Sequence, residues 1–420
     1  MSYERTVLPS GIRVLSEIVP GQHSVSVGAW LGTGSRDESP DVAGVTHFLE
    51  HLVFKGTPAR SALQIAEEFD AIGGDINAFT TKEFICFHSR ALGADLPLCV
   101  DVTADIISNA RLDGDDVESE RTVVLEEIAM HEDTPDDHVF DVFGELVWAG
   151  DPLGRPVQGT HGSIEGMPVE RIASHYGSRF PSSELVVTAA GDVDHGSFVE
   201  LVARAFGDDG VGRGAAVRAH PVVVSGALGV RERDIEQAHV VFGGAGIARG
   251  DPRRWALEVL NVAFGGGMSS RLSQEVREKR GLVYSIWSGS SMLADTGTFT
   301  VYAGCSPERL REVLSIVREQ SELILRDGIT QAERDRAVGH LRGSLLLSLD
   351  DPGARMSHLG KSELLLGEVP TAEEMIARVE AVTLDDVRAI AHEVLGTPWS
   401  LALLGPVSEG DVRDFVGAAA

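Results

Sequence analysis

A chain of 420 residues exceeds what one hydrophobic core usually organises, since domains run to about 100–200 residues, so at least two are expected. Hydrophobic residues at 43% and charged residues at 24% are ordinary for a folded protein and exclude an extended disordered chain. With 36 basic against 64 acidic residues the formal charge is −28, which excludes a nucleic-acid partner because phosphate recognition needs a basic surface; the acidity otherwise reads as solubility, with an acidic chamber for basic peptides as the sharper alternative.

In chain order, Met1 to Gly21 has no basic segment followed by an apolar run, and no stretch approaches the roughly 18 apolar residues of a membrane span. A cytoplasmic chain without a membrane partner is expected. Cys86, Cys99 and Cys305 are few, odd in number and not spaced as a zinc knuckle or redox pair, which fits reduced thiols. Ser24 to Leu31 alternates as a strand. Gly44 to Lys55 reads as a helix closed by Gly56 with Pro58 beyond, and Ser61 to Ala71 as another. Phe84 to Ala91 is a strand, and the acidic stretch Asp115 to Glu132 is a helix that Asp115 or Asp116 can cap. In the later part, Thr298 to Ala303 reads as a strand and Pro307 to Arg326 as a helix.

Laid over one another with an offset of about 210, the two halves echo each other. Phe54 falls opposite Phe264 and Ile72 opposite Leu282. Near each half's end an apolar strand runs into a turn, Val186 to Gly191 and Leu401 to Gly405, with the two glycines 214 apart (405 − 191). The Gly-, Ala- and Asp-rich stretch Gly207 to Arg218 reads as the linker. The expected architecture is α+β: two homologous mixed layers, residues 1–210 and 220–420, related by internal duplication.

The first helix carries H-x-x-E-H as His47, Glu50 and His51. At about 100° per residue, His47 at 0°, His51 near 40° and Glu50 near 300° share one face, while Val45, Leu49 and Leu52 lie opposite. Two imidazoles and a carboxylate on an otherwise apolar helix are costly to bury unless paired or metal-bound, and they suit zinc. A pair of hydrogen-bonded core histidines is the plainer alternative. The overlay puts Leu257, Leu260 and Asn261 at the corresponding positions of the second half, so one Zn2+ per chain is expected, in the first. Zinc needs a third ligand from another element. On the Asp115 to Glu132 helix, Val117, Arg121, Val124 and Ile128 mark the core stripe; Glu120 and Glu127 lie on its flank and Glu126 points about 180° away. Those angles select Glu127 as the buried carboxylate, with Glu120 as its partner two turns earlier.

At this point the sequence resembles the inverted-motif zinc metallopeptidases that include pitrilysin, insulin-degrading enzyme and mitochondrial processing peptidase. Their third ligand is a Glu at a spacing matched here by His51 and Glu127, 76 apart (127 − 51), and Glu120-Arg-Thr-Val-Val-Leu-Glu-Glu-Ile is similar to their second motif. The resemblance runs from Gly11-Ile-Arg-Val through Asp151-Pro-Leu-Gly-Arg-Pro156 to Gly343-Ser-Leu-Leu-Leu-Ser348, and the length suits the compact two-domain branch. It implies a metalloendopeptidase with Glu50 as general base and Glu120 assisting the site. Arg277 and Tyr284, in a segment resembling the family's Arg/Tyr pair, would steady substrate and oxyanion; without the resemblance they read as a surface cation and a strand aromatic. Asn77, Ala78 and Phe79 look like the edge strand that pairs with peptide substrates, and the resemblance further implies a homodimer or related oligomer. The rival expectation is a non-catalytic or partner-dependent subunit of a processing-peptidase-like complex.

Overall fold

The computed structural model describes residues 3–180, 184–207 and 221–416, so the expected linker Gly207 to Arg218 lies, past Gly207, outside the described residues. In chain order the first half holds β1 (Glu4–Val7), β2 (Arg13–Ile18), β3 (Ser24–Leu31), α1 (Val45–Leu52), α2 (Ala62–Ile72), β4 (Asp75–Thr80), β5 (Ile85–Leu92), α3 (Leu96–Ser108), α4 (Gly114–Glu132), α5 (Pro135–Val147), α6 (His161–Glu165), α7 (Val169–Arg179), β6 (Leu185–Gly191) and α8 (His195–Phe206). The second holds β7 (Leu228–Glu232), β8 (Ala238–Ala245), α9 (Arg254–Phe264), β9 (Val283–Met292), β10 (Gly297–Cys305), α10 (Leu310–Asp327), α11 (Gln331–Ser348), α12 (Pro352–Leu366), α13 (Ala372–Glu380), α14 (Leu384–Val394) and β11 (Ser400–Gly405). Because α4 starts at Gly114, Asp115 and Asp116 stand in its first turn rather than capping it, where they still complement the helix dipole.

The duplication is legible in the sheets. One runs β1-β2-β6-β3-β5-β4 and the other β7-β11-β8-β10-β9. Setting β1 aside, the strands of each half take the same places, with β2–β6 and β7–β11 parallel and every other neighbour antiparallel. Alternation decides what each face buries. Along β3, Val25, Val27, Ala29 and Leu31 enter a core with Phe48 and Leu49 of α1 and Val100 of α3, while Trp30 enters a separate cluster on the other face. Along β11, Leu401 and Leu403 face one core and Ala402 and Leu404 the other.

A sheet apolar on both faces needs helices on both, and each half recruits its second cover from the other half's sequence. The first compact unit comprises Met1–Ile128, Arg155–Arg218 and Leu346–Ala372, as far as these are described; the second comprises Ala129–Gly154, Ala219–Leu345 and Glu373–Ala420. The expected continuous stretches 1–210 and 220–420 therefore each lend a segment, α12 to the first unit and α5 to the second. Phe140 of α5 stacks on Trp287, with ring centroids 5.4 Å apart. On the first sheet, the Trp30 indole donates to Thr188 Oγ1 (2.9 Å), whose hydroxyl donates to the Met356 carbonyl of α12 (3.2 Å). All three cysteines are buried. No helix among the described residues is long and apolar enough to cross a membrane.

Two stability predictions follow from this packing. A Cβ at Gly360 of α12 would stand 2.1 Å from the Trp30 indole nitrogen. Helix propensity alone favours Ala by about 1 kcal/mol, but overpacking a locked indole costs about 1–3 kcal/mol or more. Gly360→Ala should therefore lower stability in denaturant unfolding; a rise would show that α12 can shift. The second concerns His175 of α7, whose Nε2 is buried without a hydrogen-bond partner among the described residues. Burial first, then the Arg179 charge, pushes its pKa down to about 4. The unfolded chain takes up that proton near pH 6.5, so the contribution is present above pH about 6.5 and is lost as pH falls towards about 4, by up to about 3 kcal/mol. His175→Gln should flatten the unfolding profile across that interval.

Candidate metal centre

The helix that carries the imidazoles is fixed at its start. Gly44 precedes α1 with φ of 91°, a left-handed conformation that suits glycine, and a Cβ there would meet the Gln158 carbonyl at 2.5 Å. The buried Glu38 carboxylate accepts from the backbone N–H groups of Gly44 and Thr46, each at 2.7 Å, and so satisfies the donor just before the helix and one of those in its first turn. Burial pushes the Glu38 carboxyl up to about 7, against the pull of those donors. Val45, Phe48, Leu49 and Leu52 are buried, which leaves His47, Glu50 and His51 half-buried on the remaining face.

Helix α4 is seated on α1 by Arg121. Its guanidinium donates to the Met167 carbonyl (2.9 Å) and lies 5.5 Å from the Phe48 ring centroid. With Val117, Val124 and Ile128 also buried, Glu126 is exposed and Glu127 turns to the imidazoles. Glu127 Oε2 stands 3.6 Å from His47 Nε2 and 3.4 Å from His51 Nε2. Among the described residues these three form the metal-ligand cluster, its donor atoms all within 4.8 Å of one another. Two donors at about 2.0–2.1 Å from one tetrahedral zinc stand about 3.4 Å apart, so the spacing fits that ion.

Protonation states agree with a ligand role. His51 Nδ1 lies 2.9 Å from Glu120 Oε1, and because a carboxylate only accepts, Nδ1 is the donor of that bond, which leaves Nε2 as the ring nitrogen turned to Glu127. The other oxygen of the buried Glu120 is ion-paired with Lys55. Burial first, then His51, pushes His47 down to about 4, so its imidazole is neutral at pH 7. Removing Glu120 as Glu120→Ala should weaken zinc affinity about 10–100-fold in a chelator competition, since it releases the tautomer and aim of His51.

Glu50 lies on the same face, within electrostatic reach of His51 and Glu127; burial raises its pKa while the Thr80 hydroxyl, which donates to it from the end of β4, works the other way. Strand β4 forms the end of its sheet, with no strand on its outer side among the described residues. There Asn77 is exposed, its Oδ1 accepts from the Ala78 N–H at 2.8 Å, and the Phe79 ring meets Trp30 edge-on at 6.1 Å. In the second unit, Arg277 and Tyr284 are both exposed, with the guanidinium 5.9 Å from the tyrosine ring centroid. Leu257 and Leu260 are fully buried there, and Asn261 Oδ1 accepts from Ser288 (2.7 Å).

Sequence reasoning passed over Glu38, Lys55 and Thr80. Lys55 had a signal, since it follows His51 at helical spacing, and Thr80 alternates with Ala78 along one strand face. Glu38 had none, as its role depends on the chain folding back over the helix start.

Fold and site together define a duplicated α+β protein with a three-donor centre in one unit. The model for insulinase (peptidase family M16) matches residues 13–161, and that for the peptidase M16 inactive domain matches residues 167–341. An uncharacterized zinc protease of Streptomyces coelicolor is 47% identical over 412 residues, covering 96% of this chain and 90% of the relative. One of Mycobacterium tuberculosis is 48% identical over 406 residues (96% and 93%), and YmxG, an uncharacterized zinc protease of Bacillus subtilis, is 37% identical over 403 (96% and 98%). Among solved structures, a peptidase M16 inactive domain from Pseudomonas fluorescens superposes with a TM-score of 0.90 at 20% identity, covering 97% of this chain and 98% of its own. A protease from Helicobacter pylori gives 0.88 at 22% (96% and 99%). The chain belongs to the insulinase family, peptidase family M16.

Proposed function

We propose that the chain is a zinc-dependent endopeptidase acting on peptides or extended polypeptide segments. The observation that carries this reading is the convergence of His47, His51 and Glu127 on one point with the Glu50 carboxylate beside them. These three side chains would hold the zinc, which when bound supplies Lewis acidity towards a water and a scissile carbonyl. Glu50 takes the proton of the attacking water and returns it to the leaving amine, held by Thr80 in the orientation both transfers need. The open edge of β4 at Asn77, Ala78 and Phe79 receives the substrate backbone as an added strand, with the Asn77 carboxamide giving up the Ala78 N–H. Arg277 and Tyr284 are assigned to the developing oxyanion; their support is the resemblance of that segment and the exposure of both side chains. The family membership and the names of the relatives support the same chemistry.

The test is metal analysis of the purified chain beside hydrolysis of a mixed peptide set, with and without a chelator. One zinc per chain and chelator-sensitive cleavage are expected. Bound zinc without hydrolysis would favour a non-catalytic subunit, and hydrolysis that arises only with a second chain would favour a partner-dependent one.

A further inference from the structure

Resting on the reading of β4 as the substrate edge, one cation beside that edge has no task in the chemistry above. Lys361 projects from α12 and is exposed. Its ammonium stands 5.8 Å from the Phe79 ring centroid, and its charge reaches Cys86, the residue paired with Phe79 across β4 and β5. No carboxylate among the described residues bonds to it. The Glu50 carboxylate also reaches Cys86 but accepts from the Thr80 hydroxyl, while Glu363 is ion-paired with Arg5 (2.9 Å) and Arg13 (3.4 Å), and Glu17 with Arg355 (2.6 Å). The other basic side chains on that face of β5 do not compete. Arg90 is paired with Asp351 (3.7 Å), and burial pushes His88 down, so its ring is neutral at pH 7.

A polypeptide added to the outer edge of β4 would lie about 4.8 Å away and send alternate side chains to the α12 face. The residue opposite Phe79 would bring its Cβ within about 5 Å of that of Phe79, next to the ammonium. A carboxylate there meets a cation that has no ion-pair partner among the described residues; a lysine or arginine meets a like charge. We propose that Lys361 is a specificity-determining residue that selects an acidic side chain in the substrate at the position opposite Phe79. The chain's net charge of −28 argues for the reverse preference, but charges beyond about 8 Å are screened at physiological ionic strength, so the nearest one decides.

The test uses the zinc-loaded full chain and its Lys361→Met and Lys361→Glu variants. The substrates are fluorogenic peptides of one sequence in which each position around the cleaved bond is in turn Glu, Gln or Lys. The readout is the ratio of kcat/KM for the Glu peptide to that for the Lys peptide, taken within each protein, so that a general loss of activity cancels. At one position the ratio should favour Glu by about fivefold, the upper range of an exposed charge pair. It should approach unity in Lys361→Met and reverse in Lys361→Glu. A ratio unchanged by either variant overturns the assignment, as does an unmodified protein that favours Lys throughout. The same ratio is read as binding, by fluorescence anisotropy of labelled Glu and Lys peptides on Glu50→Gln with and without Lys361→Glu. If no peptide is hydrolysed the peptidase reading fails, and equal anisotropy ratios with and without Lys361→Glu then overturn the Lys361 assignment separately.

Discussion

Replacing Glu50 by Gln is expected to lower kcat/KM on any cleaved peptide by about 10²–10⁴-fold, the usual worth of a positioned general base, while zinc content stays at one per chain. The substitution keeps the shape and the Thr80 hydrogen bond, and it touches none of the three donors, so packing around α1 is undisturbed. What disappears is the capacity to hold a proton between its removal from water and its delivery to the amine. Parallel zinc analysis and peptide kinetics separate the two properties. Turnover equal to that of the unmodified chain would take Glu50 out of the mechanism.

Glu127→Ala should act differently: zinc falls well below one per chain after dialysis, and hydrolysis drops to the level of chelator-treated protein. Two imidazoles alone leave the cation without its charged ligand, and the Glu127 oxygen that sits 3.4–3.6 Å from both Nε2 atoms has no substitute from its neighbour, since Glu126 is exposed on the far side of α4. Glu126→Ala is the matched control and should leave zinc and kinetics within about twofold, as is usual for an exposed surface change. Loss of zinc in the Glu126 variant and retention in the Glu127 variant would reverse the ligand assignment.

Much of the site was legible because it is written on helices, where direction follows from residue spacing. His47, Glu50 and His51 fall on one face whatever the rest of the chain does, and the same rule separates Glu127 from Glu126. The duplication was legible for a similar reason, since corresponding apolar strands end at Gly191 and Gly405, both with positive φ. Less visible were groups whose partners lie across a fold-back: Glu38 closing the start of α1, Thr80 holding Glu50, and Lys361 beside Phe79 on β4.

Periodicity and spacing in the sequence alone settled the α+β class, the presence of two related halves, and which side chains each helix presents together. Only the tertiary structure decided that α12 covers the first sheet and α5 the second, and how near Glu127 comes to the two imidazoles. The physical reason is that helix and strand periods fix directions around one local axis. Which distant segment covers an exposed apolar face is set instead by burial and packing among elements far apart in the chain, and no local period carries that choice.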